Sequence, residues 1–301
     1  RELEGAPPGA AGGYQLDDRY RRDDGTVFLS GAPVVLSNYV PLVDAPVFVA
    51  GLALVAIAFT VTAAMGIGRA TGYDTGFAYA LLPAFVTVVT AAAAIAASDP
   101  TWPAAVRYER LFWGAGHAQQ YLYATLTVAA WIALLDRAPD RRLQWALLVT
   151  ALPSLAAIGI AFAYPLDGAG YRRAHTLLMA LGAWPGPLAA ALILLRLREP
   201  PAAPAPRSAY AYLSMLLFAA GAFVGAAIDG DTTSVPAHYH GMVGAATLAF
   251  LGVTAQVLRI PAPRTDRLPW MYAIGFALLI GGLAAAGAQH APRKLPHAAI
   301  D

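Results

Sequence analysis

With no cysteine in the chain, its six histidines are the best soft-metal or heme ligands it has. Two of them lie in Pro236-Ala237-His238-Tyr239-His240-Gly241. Residues two apart on a helix are rotated by about 200°. The two imidazoles therefore face nearly opposite sides, where each can ligate a different cofactor but they cannot share one metal. Gly241 would let a flat macrocycle approach the backbone. The competing reading is two interfacial histidines bonded to loop carbonyls. In Arg110-Leu111-Phe112-Trp113-Gly114-Ala115-Gly116-His117-Ala118-Gln119-Gln120-Tyr121, His117 and Tyr121 stand at i and i+4 and share one helix face. That face would present a metal ligand beside a phenol able to donate a proton or an electron; the plainer alternative is a polar seam between packed helices. His175 follows Tyr171-Arg172-Arg173, whose guanidiniums suit heme propionates or lipid phosphates equally well. His290 and His297 fall in a polar tail and read as ordinary solvated residues.

The elements that hold these residues must live in lipid. The 301 residues are 58% hydrophobic and only 13% charged, with mean hydropathy +0.54, whereas soluble domains are about a quarter charged. Such a chain cannot supply a polar surface. The net charge of +2 carries no basic stripe for nucleic acid. Absent cysteine excludes disulfides, thiolate metal sites and thiol nucleophiles.

Apolar stretches at about 45–67, 75–97, 107–135, 143–164, 174–196, 208–228, 237–258 and 269–288 are each long enough for a hydrocarbon core of about 30 Å. The expected fold is all-α, a polytopic transmembrane bundle of about eight helices. Residues 1–42 form a polar extramembrane segment, 43–290 the bundle and 291–301 a polar tail. Position 1 is Arg rather than Met, which reads as a fragment or one piece of a split protein. The loops after the first, third, fifth and seventh stretches hold Arg69, Arg137, Arg141, Arg142, Arg196, Arg198, Arg207, Arg259, Arg264 and Arg267. The positive-inside rule makes those loops cytoplasmic and both termini periplasmic, in a bacterial inner membrane; Arg19, Arg21 and Arg22 pull the other way. His117, His175, His238 and His240 then all sit toward the outer ends of helices running in one direction. The run Gly281 to Gly287 reads as a close-packing face.

Three stretches give the chain a resemblance to subunit I of the heme-copper oxidases: Val35-Leu36-Ser37-Asn38-Tyr39-Val40-Pro41 with Asp44 and Pro46, Glu109 through Tyr121, and Val235 through Met242. The second resembles that family's sixth helix and the third its tenth. Over about residues 35–290, the eight stretches correspond to the family's fourth to eleventh helices. The resemblance implies that His238 is the axial ligand of a high-spin heme, His240 one ligand of a low-spin heme, His117 a copper ligand, and Tyr121 the catalytic tyrosine beside it. It implies a terminal-oxidase-like oxidoreductase that takes electrons from cytochrome c or quinol to dioxygen, working with other respiratory subunits. Relatives in that family reduce nitric oxide. Two features depart from the pattern. The histidine pair expected in 143–164 is missing, and no early helix supplies the second low-spin ligand, which would come from missing N-terminal helices or a partner chain. The alternatives are a heme-binding electron-transfer or assembly subunit without copper, and a transporter or structural bundle whose histidines only bond within the membrane.

Overall fold

A computed structural model of the chain describes residues 34–36, 41–43, 47–48, 50–55, 58, 75–102, 104–138, 140–196, 205–230, 232–260 and 267–293. Apart from one antiparallel pair, β1 (Val34–Leu36) with β2 (Pro41–Val43), the regular structure is helical. The helices are α1 (Thr75–Ala97), α2 (Ala104–Leu134), α3 (Arg141–Ala151), α4 (Leu155–Ala163), α5 (Ala169–Gly182), α6 (Pro185–Arg196), α7 (Ala205–Ala226), α8 (Ser234–Val257) and α9 (Leu268–Ala288).

Among the described residues, six helical segments are long and apolar enough to cross a membrane: Ala78–Ala97, Arg141–Ala163, Ala169–Arg196, Arg207–Ala226, Ser234–Val257 and Leu268–Ala288. They match six of the eight stretches expected from sequence. The 107–135 stretch is the long helix α2, whose Arg107, Glu109, Arg110, His117, Gln119 and Gln120 dilute its apolar character. Most of 45–67 lies outside the described residues, as do most of the 1–42 segment, the Pro200 to Pro204 linker and the end of the C-terminal tail.

Two of the six spans are broken in the middle, and proline explains both breaks. Pro153 interrupts the ladder between α3 and α4, where Leu152–Ser154 form one 3₁₀ turn. Pro185 opens α6, and its restriction on the preceding residue stops α5 short of it. The breaks abut: a Cβ at Gly182 would lie 2.9 Å from Cβ of Pro153. Asp140 caps α3, its carboxylate accepting from the Leu143 N–H at 2.9 Å.

Helices α2, α8 and α9 end alike. Asp136, Arg259 and His290 adopt left-handed backbone with φ of 53°, 53° and 60°. In each case two N–H groups reach back over the last turn, as Asp136 and Arg137 do to the carbonyls of Ala133 and Ile132. This satisfies carbonyls that lipid could not. Outside the spans, Asp99 accepts from both the hydroxyl and the N–H of Thr101, and these bonds, the hydroxyl first, hold its carboxyl below the usual carboxylate range.

The core lies where α2, α3, α6, α7 and α8 converge, around Trp131, Leu134, Leu147, Phe218 and Leu248. Trp131 is fully buried, meets Phe218 edge-on at 5.7 Å, and donates its indole N–H to Ser214 Oγ at 2.7 Å. Ser214 passes the bond on to the Ala245 carbonyl at 2.7 Å, tying α2, α7 and α8 together. Large apolar side chains such as Phe223 (78% exposed) and Leu278 (73%) cover the outside, as a lipid-facing surface requires.

Candidate functional site

The predicted residues fall in two seams between helices. The first joins α2 to α5. Gly114 lies against Tyr171 and His175, His117 lies 6.0 Å from His175 between ring centres, and the Tyr121 hydroxyl donates to the Leu178 carbonyl at 2.7 Å. Residue numbers rise in the same sense along both helices, so α2 and α5 run parallel here. His117 and Tyr121 do share one face, as their spacing predicts, and that face meets α5. Gln119, by contrast, donates to the Tyr123 hydroxyl at 2.9 Å on an exposed side.

Around this seam the aromatic rings pack in series. Trp113 stacks on His117 at 4.9 Å, and Tyr171 meets His175 edge-on at 4.7 Å. His117 is 8% exposed and His175 is 0% exposed. The Nδ1 of His117 lies 2.6 Å from the Trp113 carbonyl, whereas neither ring nitrogen of His175 has a hydrogen-bond partner among the described residues. Directly outside is a recess of about 200 Å³ lined by Glu109, Arg110, Trp113, Asp167, Tyr171 and Arg172. At its rim Arg172 faces Glu109 at 4.0 Å, and Arg110 lies 4.3 Å over the Trp102 ring.

The second seam joins α7 to α8 in antiparallel sense, since Gly221 meets Gly241 while Gly225 meets His238. A Cβ on Gly221 would sit 2.9 Å from the carbonyl carbon of Gly241 and 2.9 Å from the Met242 nitrogen, so the two backbones touch. That corrects the expectation for Gly241: its open side is filled by α7 and cannot receive a macrocycle. His238 is half-buried against α7, its Nδ1 2.8 Å from the Gly221 carbonyl. His240 is exposed on another side of α8, its Nδ1 2.7 Å from the Pro236 carbonyl one turn earlier. The two imidazoles thus occupy different environments. Their carbonyl partners are helical backbone rather than loop. Of the glycines in Gly281 to Gly287, Gly287 lies against Ser234, whereas a Cβ at Gly281 or Gly282 would meet nothing within 4 Å among the described residues.

No family model and no solved structure matches the chain. An uncharacterized protein of Aquifex aeolicus (strain VF5) is 30% identical over 152 residues, which is 50% of this chain and 39% of that protein. The chain thus spans well under half of its relative, and that likeness brings no function with it.

One chemical regularity unites three of the four predicted histidines. A carbonyl oxygen only accepts, so the Nδ1 of neutral His117, His238 and His240 must carry the proton. Each ring then presents Nε2 as its lone-pair nitrogen, the arrangement in which histidines commonly ligate metals. For heme iron this donor set fits. For a three-histidine copper centre it does not: among the described residues no three His, Asp or Glu side chains come together. Tyr171 and Trp113 were not singled out as site residues from sequence. Tyr171 was legible in one way, as the residue four before His175 on the same face of α5.

Proposed function

We propose that the chain is a heme-binding membrane subunit of a respiratory oxidoreductase, built like subunit I of the heme-copper oxidases. What supports this reading is the shared tautomer of His117, His238 and His240, each with Nδ1 against a backbone carbonyl and the ring lone pair therefore on Nε2. His238 would hold a high-spin heme and His240 one side of a low-spin heme, whose other ligand comes from a partner chain or a further helix. A heme held by His238 would supply binding and reduction of a diatomic gas. The chain's own residues position that chemistry. Gly221 orients the His238 ring through its carbonyl, and Gly225, lacking a Cβ, leaves that ring its place. Tyr121 lies one turn beyond His117 with its O–H directed at Leu178, and it is the phenol the resemblance makes catalytic. Electrons would come from cytochrome c or a quinol, with the chain in a bacterial inner membrane and its termini periplasmic.

A second reading, electron transfer by a subunit without the copper centre, is favoured by the lack of any three-ligand cluster among the described residues. A pyridine hemochrome spectrum of the chain purified with its partner subunits tests the heme reading. Soret absorption is expected, with the high-spin signature lost in H238A and the low-spin signature in H240A. A protein with no Soret band refutes it. Copper analysis with oxygen-uptake assays then separates an oxidase from the copper-free carrier.

A further inference from the structure

The recess outside the α2–α5 seam has no part in the heme reading. It lies at the ends of membrane spans. Asp167 stands in the turn between Arg141–Ala163 and Ala169–Arg196, and Glu109, Arg110 and Trp113 belong to the first turns of α2. That is the depth of the lipid headgroups, where Trp and Arg collect in membrane proteins. Glu109 and Asp167 line the recess together with Arg110 and Arg172, so the lining carries both signs and no net charge. Its volume of about 200 Å³ is below the roughly 300–1,000 Å³ that large ligands and cofactors fill. We propose that this recess binds the aminoalkyl phosphate headgroup of a phospholipid, a phosphate diester that carries a primary ammonium.

Charge, contacts and location each support this ligand. The headgroup brings one negative and one positive charge to a lining whose own charges cancel. A headgroup with phosphate alone would meet Glu109 and Asp167 uncompensated, and like charges brought together oppose binding. Guanidiniums offer planar donor forks to phosphate oxygens, and a primary ammonium has three donors for carboxylates. Neither arginine is tied tightly elsewhere. Arg172 faces Glu109 only at 4.0 Å, with the side chains 57% and 31% exposed, and such surface pairs contribute little. Arg110 lies 4.3 Å over the Trp102 ring, a contact that holds its guanidinium without an anion. Deeper along α5, Arg173, Leu177 and Leu181 stand exposed at i, i+4 and i+8, a stripe on which acyl chains lie while the headgroup is held. On the inner side, Trp113 stacks on His117 and Tyr171 meets His175 edge-on, so the recess is set apart from both imidazoles.

The inference stands whether or not His238 carries heme. Its test is native mass spectrometry of the full chain, purified in detergent and freed of lipid. The chain is titrated with phosphatidylethanolamine, with phosphatidylglycerol, whose phosphate has no ammonium beside it, and with soluble O-phosphoethanolamine. One phosphatidylethanolamine per chain is expected, bound about tenfold more tightly than phosphatidylglycerol. E109Q/D167N removes both carboxylates and should erase or invert that order. R110Q/R172Q should weaken both lipids by about tenfold. A merely structural role for the carboxylates would lower both lipids alike and leave their order intact. Helical circular dichroism checks that each variant is folded, and should R110Q/R172Q fail to fold, the order of the two lipids on E109Q/D167N decides alone. A parent protein that binds neither lipid, or both equally, overturns the proposal, as does an E109Q/D167N protein that keeps the parent's preference. Soluble O-phosphoethanolamine should bind more weakly than the lipid because it lacks acyl chains. Equal affinity would overturn the lipid as the source and assign the recess to a free aminoalkyl phosphate.

Discussion

Replacing Gly221 and Gly225 in turn by alanine separates the packing of α7 on α8 from the placement of His238. At Gly221 the new methyl would lie 2.9 Å from two backbone atoms of α8, which cannot move except with the whole helix. Reaching ordinary contact at 3.4 Å requires the helices to part by about 0.5 Å. The 2.8 Å bond from His238 to the Gly221 carbonyl would then stretch beyond the usual limit of about 3.2 Å. Overpacking costs about 1–3 kcal/mol, and the lost bond about 0.5–1.5 kcal/mol. The gain from removing a helical glycine returns about 0.5–1 kcal/mol. G221A should therefore be destabilised by about 2 kcal/mol, or about 4–8 °C at about 2–4 °C per kcal/mol. At Gly225 the methyl meets the His238 ring, with Nδ1 2.5 Å and Cε1 2.8 Å away. A ring can swing aside at the cost of its one hydrogen bond, which the helix gain about offsets. G225A should keep the parent melting temperature while displacing the imidazole and lowering heme content. Thermal unfolding in detergent, followed by circular dichroism and paired with hemochrome spectra, reads both effects. A G225A protein as destabilised as G221A would refute the argument, as would a G221A protein that melts like the parent.

Two further substitutions test the polar ties of the bundle. S214A removes the acceptor of the fully buried Trp131 indole and should lower stability by about 1–3 kcal/mol in the same melting assay; an unchanged melting temperature would mean that the indole finds another partner. Y121F deletes the bond from α2 to the Leu178 carbonyl and should cost about 0.5–1.5 kcal/mol, checked by chemical denaturation against the parent.

The spans were legible because lipid demands long apolar helices, and no other element satisfies the backbone there. The stretches 143–164 and 174–196 read as unbroken, and the structure breaks each at a proline, Pro153 and Pro185. The common face of His117 and Tyr121 followed from their spacing. What that face meets did not. In a soluble helix an apolar stripe marks the inside, but these helices are apolar on every side, since lipid is as acceptable to leucine as protein is. Nothing in the order of residues therefore says that Gly241 meets Gly221 while Gly282 meets nothing, or that His117 faces α5. Small residues permit contact without specifying it, and for that reason the role expected for Gly241 failed.

The two seams repeat one device. His238 fits against Gly225, and His175 together with Tyr171 fits against Gly114, so each imidazole occupies space left by a missing Cβ on the neighbouring helix. Backbone is the stiffest part of a bundle, and a ring held against it has less freedom than one held by flexible side chains. A protein that only needed to fill these spaces could use leucine, which asks for no partner. His238 at least gains a carbonyl for its Nδ1, but His175 gains nothing from the fold as it stands. Burying an imidazole with both nitrogens idle costs stability that leucine or phenylalanine would not. Each notch therefore fixes its imidazole at one depth and one orientation against the neighbouring backbone, a constraint that a flexible packing residue would not need.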